Sequence, residues 1–304
     1  MPTLTLEATA RSRCLLLALA AALAACAKPS TPDVLTPGSV KVRIGQIDPV
    51  ALESAEKSAP AAVAARTEQL VDALWDAGCV GGSVETPLPR VSSDNPDIVC
   101  SLPGRTPHRI LVLAHLDGDA REKNVPEHWS GVALLPFLYK ALSVEPREHT
   151  FVFAAFGKSP PRTPRAYLER FGTSPDESVR AIIDLQDVDP REIWFSTSDA
   201  GLRRDFAAAS LAVGRPLESL RAFPPTADEA HGGIATLTIA KDPPGGMRAR
   251  KKSGAPEAAP QTEATSLPAT ARFTAVFLAY ADETLRLRAE PPDSVPASSD
   301  SDAH

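Results

Sequence analysis

The run Ile110-Leu111-Val112-Leu113-Ala114 constrains this chain more than any other segment. A strand with one wet face alternates apolar and polar residues, whereas an unbroken apolar run of this length reads as a strand buried on both faces. Residues 150–156, "TFVFAAF", read the same way. Such strands need neighbours on either side and covering layers above and below. Parallel neighbours also need crossovers of a dozen or more residues, usually helical. The chain supplies them. Apolar residues recur at three-to-four spacing over 51–77 (Val63, Leu70, Leu74, Trp75), and helices are also expected at 130–142, 164–171, 199–213 and 269–288. Pro60 breaks the first of these regions or starts its second half, and Gly78 ends it. Further strands are expected at 83–88, 97–102, 179–188, 192–196 and 234–239. This order predicts a single α/β domain over residues 42–289, with a mostly parallel central sheet and helices on both faces. Residues 242–267, dense in Pro, Gly, Ala and Lys, read as a mobile insertion, and the Asp/Ser-rich residues 290–304 as a disordered tail.

The first 25 residues read as a targeting segment. Arg11 and Arg13 precede an apolar run from Cys14 to Ala25, about 12 residues and too short to span a bilayer as a helix. It ends in Leu23-Ala24-Ala25-Cys26, which resembles the lipobox of bacterial lipoproteins. The resemblance implies cleavage before Cys26, acylation of that residue, and a Pro/Ser/Thr-rich tether over residues 26–41. With Ala27 rather than Asp after the Cys, it implies the outer membrane of a bacterial envelope, facing the periplasm or the surface. The other reading is an ordinary secretory signal cut after an Ala-x-Ala sequence.

The remaining Cys79 and Cys100 flank the loop 89–96, where two antiparallel strands would bring them face to face. In an oxidising compartment they are expected to pair, the alternative being two buried free thiols. A net charge of −6 and the lack of a long basic run give no reason to expect nucleic acid. The Arg248–Lys252 cluster reads as a solvated loop. No later apolar run reaches spanning length, so the lipid is the one membrane contact expected.

His115-Leu116-Asp117 follows the central apolar run, at the carboxyl edge where open α/β sheets bind ligands. A ligating His usually donates its second ring proton to a carboxylate, and Asp117 is placed to receive it. Taken with its surroundings, "RILVLAHLDGDAREKNVPEHWSGVA" at 109–133 resembles the start of the active site in the family-28 zinc metallopeptidases. These include leucyl-type aminopeptidases and, by fold, glutaminyl cyclases. Their pattern is strand, A-H-x-D, about ten residues, then D-N-x-S-G-V-A opening a helix. Downstream, "TFVFAAFG", "RAYLERFG", "AIIDLQDVD" and "GGIATLTI" resemble further elements of that family, so the likeness runs from about Leu70 to the final helix.

The resemblance makes His115 the first zinc ligand, Asp117 its orienting carboxylate, and puts Glu127 where the family has a bridging Asp. The other expected groups are missing. Lys158 and Ser159 stand in the stretch where the family has a general base and a ligand, both Glu. Gln186 stands at a ligand Asp, with Asp184 and Asp187 beside it, and no His matches the last ligand. A catalytic zinc needs about three protein ligands and an open position. Loss of a general base alone costs roughly 10²–10⁴-fold in rate.

The expected function is therefore a non-catalytic pseudopeptidase without a cofactor, binding a peptide or protein in its cleft. The alternative is a rebuilt single-zinc hydrolase using His115, Glu127, Asp187 and either His128 or His231. His115 also reads as a core histidine at a strand end, and His231 as a loop residue. Lys158 either replaces the lost cation by pairing with Asp117 or Glu127, or points to solvent. Lipidation is directly testable: cells fed labelled palmitate should label the protein, Cys26→Ser should abolish the label, and the intact mass should place the mature start at Cys26.

Overall fold

The computed structural model describes residues 31–79, 84–85 (backbone), 98–116, 129–156, 178–186, 188, 190–225, 234–241 and 266–289. All elements below belong to the compact unit Pro32–His304. In chain order they are β1 (Asp33–Leu35), β2 (Val42–Ile44), α1 (Pro49–Lys57), α2 (Val63–Asp76), β3 (Val84–Glu85), β4 (Ile98–Leu102) and β5 (Arg109–His115). There follow α3 (Ser130–Leu142), β6 (Thr150–Phe156), β7 (Val179–Leu185), β8 (Ile193–Ser196), α4 (Ala200–Ala212), β9 (Leu220–Ala222), β10 (Ala235–Ala240) and α5 (Leu267–Ala289).

Eight strands form one mixed sheet in the order β3-β4-β6-β5-β7-β10-β8-β9. Its centre, β6-β5-β7-β10, is parallel, as the apolar runs require. β4 joins one flank and β8 the other, both antiparallel to this centre. The α/β architecture is the expected one, and β5 lies between β6 and β7 in the middle of the sheet. From Ile110 to Ala114 every residue of β5 is at most 1% exposed. Pro60 falls between α1 and α2, as its missing N–H and its ring demand. Residues 33–35, inside the segment read as a tether, pair antiparallel with β2. Three-residue strands such as β1, β2 and β9 are too short to show a period in sequence.

Side chains alternate across a strand, so β5 feeds two separate cores. Ile110, Val112 and Ala114 join a cluster that takes in apolar residues from all five described helices, among them Leu52, Leu70, Leu134, Phe206 and Phe277. Leu111 and Leu113 face the other way and meet Val152, Ala154, Phe156 and Ile182. No described helix contributes to that second cluster, and the helix expected at 164–171 lies outside the described residues. Helix α3 is buried at every position except Phe137 and Lys140, which explains why its sequence is apolar all round. Phe206 of α4 packs edge-on to Phe273 and Phe277 of α5, with ring centroids 4.7 and 5.2 Å away.

Polar groups locate the ends of these elements. Asp48 accepts from Val50 N and Ala51 N to cap α1, and Asp199 accepts from Leu202 N to cap α4, each cap worth about 1 kcal/mol. Asp282 of α5 is 1% exposed and collects three donors from the start of β6: Glu148 N, His149 N and His149 Nδ1, all at 2.8–2.9 Å. A buried carboxylate is tolerable only when its lone pairs are filled in this way. Burial pulls the neighbouring Arg147 below the usual guanidinium range, against the opposing field of Asp282. Its guanidinium donates to Leu142 O and Arg43 O, so α3, β2, β6 and α5 meet at one point.

Cys79, just past α2, is bonded to Cys100 in β4, closing a separation of 21 residues, and both cysteines are fully buried. The expected disulfide is therefore present, joining the first helical layer to the flank of the sheet. Replacing both cysteines by Ala should lower stability by about 3 kcal/mol, the loop-closure value for this length. The urea midpoint of the variant, compared with the oxidised and reduced wild type, checks this.

Candidate functional site

The carboxyl ends of β5 and β7 carry the polar groups of the cleft. By alternation His115 continues the Leu111–Leu113 face, and Asp184 continues the face of Ile182 on the neighbouring strand. Asp184 lies opposite Leu113 in the pairing, which sets its side chain within reach of the ring two positions further along β5. His115 Nε2 and Asp184 Oδ1 are 2.8 Å apart. A carboxylate only accepts, so Nε2 carries the proton and donates it. Gln186, just beyond the end of β7, turns its Nε2 to Asp184 Oδ2 at 3.1 Å. Both oxygens of Asp184 are thus engaged in a chain His115–Asp184–Gln186. The two ionisable side chains are largely sheltered, His115 at 24% and Asp184 at 14% exposure.

Helix α3 frames this chain from the other core. A side chain at position 131 would place its Cβ 2.5 Å from Gln186 O and 2.6 Å from Leu185 O, so only glycine permits the contact. Next to it, the buried Ser130 Oγ accepts from Val188 N at 2.8 Å. Gln186 N in turn donates to Ile239 O of β10, and Leu116 N to Phe156 O of β6. Trp129, 2% exposed, donates its indole N–H to Ala55 O at the end of α1. The "WSGVA" stretch is therefore a packing device: it holds the helix start against the strand that carries Asp184 and Gln186.

Of the residues singled out from sequence, the structure brings together His115 and Gln186 and adds Asp184 between them. Asp184 was visible only as a neighbour of Gln186. Its signal was a carboxylate directly after the buried apolar run Ala181–Ile183, where a charge needs a partner. Asp117, Glu127, His128, Lys158, Ser159, Asp187 and His231 lie outside the described residues, as does Cys26. Among the described residues, no group of three His, Cys, Asp or Glu side chains is arranged to hold a metal ion. Among the described residues the cleft offers a zinc one imidazole, one carboxylate and a neutral amide, short of the three protein ligands that a catalytic zinc needs.

No protein-family profile matches the sequence, and no curated protein matches it. Solved structures do. A leucine aminopeptidase precursor from Bacteroides thetaiotaomicron superposes with a TM-score of 0.51 at 14% identity, over 79% of this chain and 99% of that one. Glutaminyl cyclase from Porphyromonas gingivalis gives a TM-score of 0.51 at 14% identity, over 77% and 96%. Against the zinc aminopeptidase BSAP from Bacillus subtilis the TM-score is 0.44, and this chain spans only 49% of that protein's length. The chain has the fold of zinc-dependent exopeptidases and glutaminyl cyclases, as the motif order implied.

Gly131→Ala tests the packing role. An exposed helical Gly→Ala change would stabilise by about 1 kcal/mol. Here the clash should reverse the sign, destabilising by about 1–3 kcal/mol. Thermal melting, together with the imidazole resonances of His115, checks both the energy and its transmission to the cleft.

Proposed function

We propose that this protein is a non-catalytic pseudopeptidase, held on a bacterial envelope membrane by a lipid at Cys26, whose cleft at the carboxyl edge of the sheet binds a peptide or protein segment. One observation carries the reading: the ring of His115 is committed to Asp184, and Asp184's second oxygen to Gln186. Hydrolysis of a peptide bond needs an activated water and a group to stabilise the developing charge. Among the described residues no group of three His, Cys, Asp or Glu side chains is arranged to hold a metal that would activate that water. The fold still presents the carboxyl ends of its parallel strands, where open α/β sheets take ligands. The disulfide between Cys79 and Cys100 supports an exported protein, since such bonds persist in oxidising compartments.

The mature protein in detergent should show no turnover of aminoacyl-nitroanilides or N-terminal glutaminyl peptides above the uncatalysed rate, with or without added zinc. It should retain peptides from an envelope digest in a saturable way, with loss of retention on His115→Ala. Zinc-dependent turnover would sink the reading in favour of a rebuilt hydrolase, and so would peptide binding that leaves the cleft variant unaffected.

A further inference from the structure

A lipid at Cys26 fixes the distance of the domain from its membrane, and the point where the chain enters the compact unit fixes which side meets it. We propose that the domain lies on the lipid head groups through the surface around β1, β2 and the end of α3, with the sheet face that carries His115 and Asp184 turned to the aqueous phase. This deepens the proposed anchoring at Cys26 and rests on it.

Pro32, where the compact unit begins, stands six residues beyond Cys26. Six residues span at most about 20 Å, so acyl chains in the bilayer keep this point of the domain close to the head groups. The entry is held fast. Asp33 Oδ2 accepts from Arg272 Nε at 3.0 Å, Leu35 is buried, and β1 pairs with β2 along all three of its residues. Just past β2, Gly45 N donates to Ala141 O at 2.7 Å, which ties the hairpin to the last turn of α3. Leu35, Val42 and Ile44 belong to the core on the helical side of the sheet. His115 and Asp184 continue the other face, that of Leu111, Leu113 and Ile182. The entry of the chain and the cleft pair therefore lie on opposite faces of one sheet.

The surface at the entry suits a head-group layer. Val34, opposite Arg43 in the β1–β2 pairing, is 50% exposed, and Val144, packed beside Gly45, is 42% exposed. Between them Arg43 binds Glu145 at 2.8 Å. Lys41 and Lys140 add two exposed ammonium groups with no ion-pair partner among the described residues. Exposed apolar side chains beside unpaired lysines fit an anionic lipid interface, where the valines enter and the lysines meet phosphate. Four such side chains bind weakly by themselves, but the short connection to the lipid makes their contact intramolecular. A cleft on the other face takes its ligand from the aqueous phase, so soluble peptide segments fit it and lipid-embedded ones do not.

The experiment uses the full mature protein on vesicles of phosphatidylethanolamine and phosphatidylglycerol, some of whose head groups carry a nitroxide quencher. With Cys26 acylated and Cys79 bonded to Cys100, an introduced cysteine is the one thiol left to label. A fluorophore is attached through Val144→Cys or through Arg221→Cys. Arg221 is 55% exposed and pairs with Trp194, on the sheet face away from Phe195 and the helical core. The label at 144 should lose most of its fluorescence, more so as phosphatidylglycerol is raised, and the label at 221 should keep it. On protein that floats with the vesicles, equal quenching of both labels, stronger quenching at 221, or none at either would overturn the proposal. Should a labelled variant not fold, hydrogen exchange of the wild type decides: residues 141–146 should be slowed on vesicles relative to detergent and residues 220–223 should not, and the reverse pattern or no change overturns it. The underlying ideas fail separately. Protein that neither floats nor carries labelled palmitate refutes the anchor at Cys26 and this orientation with it, floating protein in the wrong orientation refutes this proposal alone, and peptide turnover bears only on the pseudopeptidase.

Discussion

Helix α3 can reach the ends of the central strands only because position 131 carries no side chain, and much of the molecule is arranged around that contact. The helix is apolar on nearly every face, so it must be enclosed: by the sheet on one side and by α1, α2 and α5 on the others. Its first turn meets the backbone of Leu185 and Gln186, while Ser130 ties down Val188. Together these contacts set the height at which β7 stops and its chain turns away. That height decides which side chains stand at the carboxyl edge. A helix displaced by one Cβ would move the Gln186 carbonyl, the bond that its backbone N–H gives to Ile239 O of β10, and the amide that holds Asp184.

The closing helix is secured by charge rather than by apolar packing alone. Asp282, His149 and Arg147 form a buried group whose donors and acceptors are matched, with four elements meeting at it. A second point lies further along α5. Asp205 of α4 takes Thr284 and Arg288 as partners at 2.7 and 2.8 Å, and its burial pushes its pKa up despite them. Removing one partner from such a group leaves an uncompensated charge, which is why buried polar networks enforce one arrangement of the helices more strongly than apolar contacts do. Arg215 works in the same manner, donating to Pro190 O, Ser219 and Thr270 from a site 2% exposed.

Fold and chemistry have separate physical supports here. The fold rests on strands buried on both faces, on glycine at one close approach, and on a disulfide, none of which involves a metal. Zinc chemistry rests on a handful of charged donors converging on a point. A chain can therefore keep the architecture of an exopeptidase while its cleft is rewired by a few substitutions. At the ends of β5 and β7 of this chain, His115, Asp184 and Gln186 form a hydrogen-bonded chain.

The apolar runs at 110–114 and 150–156 determined the centre of the sheet, because only a doubly buried strand tolerates them. Helical spacing determined α3, α4 and α5 to within a residue or two, and Pro60 the break before α2. Two remaining cysteines in an exported chain led to the expected pairing, and Cys79 reaches Cys100 of β4 from the end of α2 rather than from a strand. His115 at a strand end and Gln186 in place of an acid were legible as well. Other features belong to the tertiary structure alone. The three-residue strands β1, β2 and β9 exist because neighbours complete their hydrogen bonds, and no period is readable in so short a stretch. The strand order, with β5 between β6 and β7, follows from crossover geometry that local sequence does not encode. Above all, one partner of His115 is a residue 69 positions away, beyond the reach of any local reading. The register of the two parallel strands, which sets Asp184 opposite Leu113, is what brings its carboxylate to the ring.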